Sequence, residues 1–450
     1  MAKKAKSKEK VCVVGLGFIG LPLAVSLANS GAEVVGYDLR REIVDRVNKG
    51  QSHVFEPGLE ETLRKVLKNG NFRATQLASE MQKYKFVIIT VGTPTDSNGY
   101  PILDQVESAA KTIGENLRKG QVVILKSTVP PLTTEEFVAP LLEKASGLKL
   151  GADFGIAFVP ERTIEGQAMR ELKTLTKVIG ASDQKTAKEV EKLFKSLGGT
   201  IVKVSSPRIA ELIKLMDNTY RDTNIALANE FAKAANVLGL DVIEAIQAAN
   251  KDYERNKILI PGAGVGGSCL TKDPLILAHV SEKAGESLPL IRVARKVNNE
   301  MPEKIFNLVR SVLKRNKREI RNSKIAILGL TFKRDTNDLR ETPAKVIYDL
   351  LNREGAQIVL YDRFAFPEDV EKLFKTKKVE NLEEACKNAD CLVIATDHSE
   401  FRELKLKRIK ELMRTPCIID GRHMINPNFA LDLGFDFEGI GRPKEYFERK

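Results

Sequence analysis

At 450 residues, 42% hydrophobic and 29% charged, the chain exceeds one ordinary core and implies two or three globular domains. A formal net charge of +12 suits polyanionic small molecules, whereas interleaved acids, 8 Tyr and 0 Trp argue against a nucleic-acid binder. No stretch approaches the roughly 18 apolar residues of a membrane span, and five cysteines without a CxxC pair, beside four histidines, argue against a metal site or a disulfide framework.

The basic start MAKKAKSKEK reads as a short solvated tail rather than a signal peptide, so a cytoplasmic location is expected. Val11–Val14 reads as a strand, Phe18–Ser30 as a helix and Glu33–Tyr37 as a second strand. Further strands are expected at Phe86–Val91 and Gln121–Ser127, and such alternation indicates βαβ units on a parallel sheet. After Pro207, neither proline nor glycine interrupts the sequence to Leu238. A helix of that length spans about 45 Å. It is apolar nearly all round and must be covered by neighbours or by a second subunit, which suggests a spine between two domains and a dimer contact. The charged stretch Lys314–Asn322 reads as a linker. A second α/β pattern follows, with strands at Lys324–Gly329, Gln357–Tyr361, Cys391–Ala395 and Cys417–Ile419 and a helix near Ala344–Arg353. The expected fold is therefore α/β, with two doubly wound Rossmann-like domains joined by a long central helix and a helical middle domain.

Gly15-Leu16-Gly17-Phe18-Ile19-Gly20 is a GxGxxG that follows a strand and opens a helix. Its glycines permit a tight turn and close backbone approach, so that the helix amino terminus faces a pyrophosphate. Asp38 ends the second strand, where a carboxylate can bind both hydroxyls of an adenosine ribose and repel a 2′-phosphate. The expected cofactor is NAD.

Pro261-Gly-Ala-Gly-Val-Gly-Gly-Ser-Cys269-Leu-Thr-Lys-Asp273 carries the most chemistry. Four glycines in six residues make a backbone that a ligand can approach, and the run delivers a thiol beside a lysine and an acid. A helix starting there, as Thr271 and Pro274 suggest, would favour the thiolate through its positive end. Beside a hydride acceptor, a thiolate that adds to an aldehyde can pass on to a thioester, so oxidation continues to the acid. Cys12, Cys391 and Cys417 lie in strand-like runs and Cys386 in a helical one, which are structural settings. Lys214 and Asn218, four apart on the long helix, project from one face and suit a developing oxyanion.

Taken together, GLGFIG, EPGL (Glu56–Leu59), VGTP (Val91–Pro94), KSTVPP (Lys126–Pro131), VPER (Val159–Arg162), GVGGSC and GLTFKRDTNDLRETPA (Gly329–Ala344) resemble the UDP-glucose/GDP-mannose dehydrogenase family. The resemblance covers nearly the whole chain. It implies a four-electron oxidation of a UDP-sugar at C6 with two NAD⁺ and one water, in three parts: residues 1–205 binding NAD, 206–313 carrying the cysteine and the dimer contact, and 323–450 binding the UDP-sugar. Cys269 would be the nucleophile, Lys214 the acid/base or oxyanion partner with Asn218 beside it, and Asp273 and Glu161 would handle the hydrolytic water. Thr93, Thr128, Glu165, Lys272 and Arg340 would join the glycine turn around the cofactor. Phe332 and Lys333 would hold the nucleotide, with Arg162, Thr163, Arg221 and Gly262 on the substrate side. Arg255 would reach the neighbouring subunit's site, implying a homodimer or a larger homo-oligomer.

The segment Pro160–Gly166 departs from the NPEFLREG-like form of UDP-glucose and GDP-mannose members, and its arginine after the glutamate resembles members acting on N-acetylhexosamines. An N-acetyl amide offers a donor and an acceptor, which Arg162 and Thr163 can meet. Ser268 stands where many of those members have histidine, and Lys272 is more like the UDP-glucose form. The expected substrate is UDP-N-acetyl-D-mannosamine, with UDP-N-acetyl-D-glucosamine and UDP-glucose as alternatives. A two-electron hydroxyacid dehydrogenase would need neither the thiol nor the second α/β domain, and a non-catalytic nucleotide binder would not need Cys269 or Lys214.

Overall fold

Apolar runs of four or five residues between turns make strands buried on both faces, and the chain builds two separate sheets from them. The computed structural model describes residues 8–96 and 99–448, so most of the expected amino-terminal tail lies outside the described residues. The chain divides into two compact units: residues 1–217 with 279–286, and residues 218–278 with 287–450.

In the first unit, β1 (Lys10–Val14), β2 (Glu33–Tyr37), β3 (Phe72–Thr75), β4 (Phe86–Ile89), β5 (Val122–Leu125), β6 (Gly155–Phe158), β7 (Lys177–Ala181) and β8 (Ile201–Val204) form one sheet. Their order is β3-β2-β1-β4-β5-β6-β7-β8, parallel except where β6 meets β7. The order reverses between β1 and β4, and ligands of such sheets bind outside the carboxyl ends of the strands at that point. Apolar layers cover both faces, one gathered around Leu21, Leu27 and Leu63 and the other around Ile113, Leu142 and Phe158.

The second unit holds β9 (Lys324–Leu328), β10 (Gln357–Tyr361), β11 (Lys378–Val379), β12 (Cys391–Ile394), β13 (Cys417–Asp420) and β14 (Asp436–Gly439). They form an all-parallel sheet in the order β11-β10-β9-β12-β13-β14.

Four helices matter for the site. α1 (Gly20–Asn29) starts later than Phe18, because the glycine turn extends to Ile19. α2 (Pro207–Leu238) has the bounds expected from the uninterrupted run. α3 (Asp273–Lys283) begins four residues beyond Cys269. α4 (Pro289–Arg315) runs into the stretch expected to be a linker. The reason is electrostatic: Lys314 and Arg315 sit in the last turn, where cations complement the helix dipole, and Arg315 pairs with Asp436 at 2.8 Å and Glu438 at 2.7 Å. That stretch is pinned to the sheet rather than loose.

α2 carries apolar residues both toward the interior and at its surface. Ala210, Leu215, Ala226, Ala228 and Ala232 are buried, while Met216, Tyr220, Leu227, Phe231, Val237 and Leu238 are exposed. Among the described residues no helix is long and apolar enough to cross a membrane.

Candidate active site

The glycine turn after β1 is shaped by contact within the protein. A side chain at Gly20 would overlap the Gly15 carbonyl oxygen and lie 2.5 Å from the Thr90 hydroxyl, which itself bonds the Val14 and Gly15 carbonyls at 3.0 and 2.7 Å. At Gly17 there is open space, so the backbone is approachable there. Ile19 caps α1 without a side-chain bond, and Phe18 is half exposed. Asp38 follows β2 and is buried; it accepts from the Leu16 backbone N–H at 2.9 Å and from the Arg40 N–H at 3.0 Å. Burial raises its carboxyl, but Arg40, through side chain and backbone, and the Leu16 N–H outweigh that and hold it below the usual range. The Arg40 guanidinium is exposed and lies over the carboxylate at 3.2 Å. The open turn, the approachable amino terminus and the acid fit the adenosine half of NAD.

The other motif segments of this unit tie one another down. Glu56 of EPGL accepts from the backbone N–H groups of Gly166 at 2.6 Å and Ala168 at 3.0 Å. Thr93 of VGTP donates to the Thr128 carbonyl at 2.6 Å, and Ser127 to the Val91 carbonyl at 2.6 Å. Lys126 of KSTVPP, only 4% exposed, pairs with Glu161 of VPER at 3.0 Å. The other oxygen of Glu161 accepts from the Arg162 and Thr163 backbone N–H groups, each at 2.8 Å. Burial would raise the Glu161 carboxyl, but the Lys126 ammonium and the Thr163 bonds bring it down to about 2. So held, the carboxyl is an anion paired with Lys126. Arg162 pairs with Asp217 at 2.8 Å, which leaves part of its fork for another ligand. Glu165 lies half-buried on the same segment.

Lys214 is buried with no anion paired to it among the described residues. It belongs to a polar stripe on α2 made of Glu211, Lys214, Asn218, Asp222 and Asn229, all buried. Spacings of three, four, four and seven put these on one face, but only Lys214 and Asn218 were read from the sequence. Glu211 binds the Leu132 and Thr134 N–H groups at 2.7 Å each, and burial pushes its carboxyl up to about 7.

In the second unit Cys269 is exposed, while Cys12, Cys386, Cys391 and Cys417 are buried. The Cys269 carbonyl accepts from the Asp273 N–H at 2.9 Å. The fully buried Asp273 carboxylate accepts from Asn218 at 2.6 Å and Lys272 at 2.8 Å. The Cys269 backbone, Asn218, Asp273 and Lys272 are thus linked. The structure also supplies what the sequence reading missed: Asn229 accepts from the Gly262 N–H at 2.9 Å, and Arg295 donates to the Leu270 carbonyl at 3.2 Å. Arg295 pairs with Asp222, and Asn298 bonds both Asp222, at 2.8 Å, and Asn229, at 2.9 Å. One buried network on α2 and α4 therefore fixes both ends of the glycine loop.

The loop's glycines correct an expectation. Instead of leaving room for a ligand, Gly266 and Gly267 make room for the protein. A side chain at Gly266 would overlap the Glu341 carbonyl oxygen, and one at Gly267 would lie 2.5 Å from the Phe332 ring. Gly267 also has φ +83 and donates to the Arg340 carbonyl at 3.0 Å. The Arg340 side chain lies on Asp338. Lys333 is half-buried beside Phe332. Arg221 is exposed on α2, and Arg255 is exposed over the Tyr253 ring at 4.9 Å.

Comparison with known proteins agrees with this division of labour. Residues 9–198 match the NAD binding domain of the UDP-glucose/GDP-mannose dehydrogenase family, residues 208–300 its central domain and residues 326–427 its UDP binding domain. A UDP-N-acetyl-D-mannosamine dehydrogenase of Pyrococcus horikoshii is 39% identical over 96% of this chain and 99% of its own length. The solved structure of a UDP-D-ManNAc dehydrogenase from that organism superposes with a TM-score of 0.89, covering 96% of this chain and 99% of that one. A UDP-glucose dehydrogenase from Pyrobaculum islandicum, 30% identical, superposes at 0.87 and covers 98% and 99%. Matched in all three of its parts and along nearly its full length, the chain belongs to the UDP-glucose/GDP-mannose dehydrogenase family and is an NAD-dependent oxidoreductase.

Proposed function

We propose that the chain oxidises the C6 alcohol of UDP-N-acetyl-D-mannosamine to the carboxylate, through a thioester on Cys269. The observation that carries the four-electron reading is the exposed Cys269 on a loop fixed at both ends, its backbone carbonyl bonded to the Asp273 N–H of the Asn218–Asp273–Lys272 cluster. The substrate follows the name of the Pyrococcus horikoshii relative, supported by the polar Arg162-Thr163 pair. NAD⁺, held by the glycine turn and Asp38, would supply the hydride acceptor for each of two oxidations. Lys214 and Asn218 stabilise the oxygen of C6 as its charge develops. The Cys269 thiolate adds to the aldehyde carbon, and loss of hydride from that adduct leaves the thioester. Water cleaves the thioester to the acid and the free thiol, and Asp273 and Glu161 are assigned to that water.

The cofactor is assigned to Gly15, Gly17, Phe18, Ile19, Gly20 and Asp38, with Thr93, Thr128, Glu165, Lys272 and Arg340. The UDP-sugar is assigned to Arg162, Thr163, Arg221, Arg255, Gly262, Phe332 and Lys333. Functional boundaries of 1–205, 206–313 and 323–450 go with these roles. A homodimer is supported by the exposed apolar residues of α2, and a cytoplasmic setting agrees with NAD and a nucleotide sugar as reactants.

The test is NADH formed per mole of sugar, with UDP-N-acetylmannosamine, UDP-N-acetylglucosamine and UDP-glucose offered separately. Two equivalents with the first alone are expected. Two with another sugar would reassign the substrate, and one equivalent would remove the thioester step.

A further inference from the structure

The two sheets repeat one device. In each, the first strand is followed by a glycine, Gly15 or Gly329, and the backbone N–H of the next leucine donates to an aspartate at the end of the adjacent strand. Leu16 reaches Asp38 at 2.9 Å, and Leu330 reaches Asp362 at 2.6 Å. The exposed Arg40 side chain lies over Asp38. Asp362 is closed. One of its oxygens takes the Leu330 and Thr331 N–H groups and His398 Nε2 at 2.9 Å; the other takes the Phe364 and Ala365 N–H groups at 2.7 and 2.9 Å. A carboxylate offers about four acceptor sites, so none is left for a ribose hydroxyl.

His398 does a second thing. It is fully buried between the rings of Phe364 and Phe401, and its Nδ1 accepts the Asp335 backbone N–H at 2.9 Å. That bond places the ring proton on Nε2, facing Asp362. Neighbouring rungs run both ways: Thr396 donates to the Thr331 carbonyl and the Ser399 N–H to Asp335 at 2.9 Å, while Arg334 donates to the Asp397 carbonyl at 2.9 Å. The turn 396–399 thus grips both ends of Thr331–Asp335, and Phe332 and Lys333 lie between the grips.

We propose that His398 is a positioning residue for the nucleotide of the substrate: it seals the acid that a dinucleotide would need and uses it to fix the Phe332–Lys333 loop in its UDP-holding shape. This rests on the assignment of UDP to that loop.

The test uses the full chain, with UDP and NAD⁺ binding each measured by titration calorimetry. His398→Gln keeps an amide donor near Nε2 but loses the acceptor for Asp335; His398→Asn keeps an acceptor near Nδ1 but loses the donor. UDP affinity is expected to fall about tenfold in H398Q, the scale of one buried hydrogen bond, and only about threefold in H398N. NAD⁺ affinity stays unchanged in both. Arg334→Met, an exposed outer rung, should weaken UDP about threefold without lowering the melting temperature, which guards against misfolding of the histidine variants. Equal UDP loss in H398Q and H398N, tracking their melting temperatures, would reduce His398 to a core residue and overturn the proposal. So would parental UDP affinity in H398Q and R334M. Lys333→Ala separates the two readings: if it binds UDP normally, the assignment of the loop fails whatever His398 does.

Discussion

Lys126→Met tests the buried pair directly. The variant keeps the length of the side chain and removes the ammonium that faces Glu161 at 3.0 Å, where both groups are less than 9% exposed. The Glu161 carboxyl stands at about 2 against an ordinary 4.5, and that difference is worth about 3 kcal/mol at neutral pH. Breaking a buried pair by removing one partner costs about 3–5 kcal/mol by general experience, so the two routes agree in size. The sign follows from the depressed native value. In the parent, the pair's contribution is complete above about 4.5 and is lost as pH falls toward about 2. In the variant, burial acts without a cation and pushes Glu161 above its ordinary value, so acid relieves the variant instead of harming it. Thermal unfolding at one scan rate, at neutral pH and near pH 5, should therefore show a large gap between variant and parent that narrows in acid. Glu161→Gln added to K126M should close much of the neutral-pH gap. A gap of the same size at both pH values would refute the argument and leave only lost packing around Lys126.

Three further expectations rest on other contacts. Gly20→Ala should abolish NAD⁺ binding measured by calorimetry while UDP still binds, since the added carbon meets the Gly15 carbonyl; retained NAD⁺ affinity would mean that the turn is softer than its geometry. Arg295→Met should lower the melting temperature and also kcat, because it strands Asp222 and frees the Leu270 carbonyl. An added Asp222→Leu should restore stability by about 2 kcal/mol or more but not kcat, and strict additivity of the two substitutions would contradict the pairing. Cys269→Ser should bind both ligands and turn over at least about a thousandfold more slowly; near-parental turnover would exclude the thioester.

The parts legible in the sequence share a physical cause. β1, β2, β4 and β5 are apolar runs at the centre of a sheet, and α2 has no helix breaker after its first residue. β3 carries the exposed Arg73, β8 is half open at the sheet edge, and β6 and β14 are four-residue segments with glycine at one end, so their patterns were too short or too mixed to read. The reversal at β7 left no local mark at all, because strand direction is set by the connection rather than by side chains. At the site, Cys269, Lys214 and Asn218 stood out as chemical types. Asp222 and Asn229 carried the same helical spacing and could have been found by extending it, but their partners Arg295 and Asn298 lie some seventy residues on, where only the fold brings them back. The glycine loop reads in the sequence as backbone that a ligand can approach, whereas Gly266 and Gly267 face Glu341 and Phe332 of the chain itself.

That crowding has a kinetic meaning. The Phe332 ring rests against Gly267, two residues from the thiol, with no side chain between to absorb a shift. In the proposed assignment, the end of the substrate farthest from the reaction presses on the loop that aims the sulfur. A sugar stripped of its nucleotide would then react slowly even at saturation, since binding energy that orients the reacting groups is lost along with the part that supplied it. The distant uridine end would act as the sight of the nucleophile as well as the handle of the substrate.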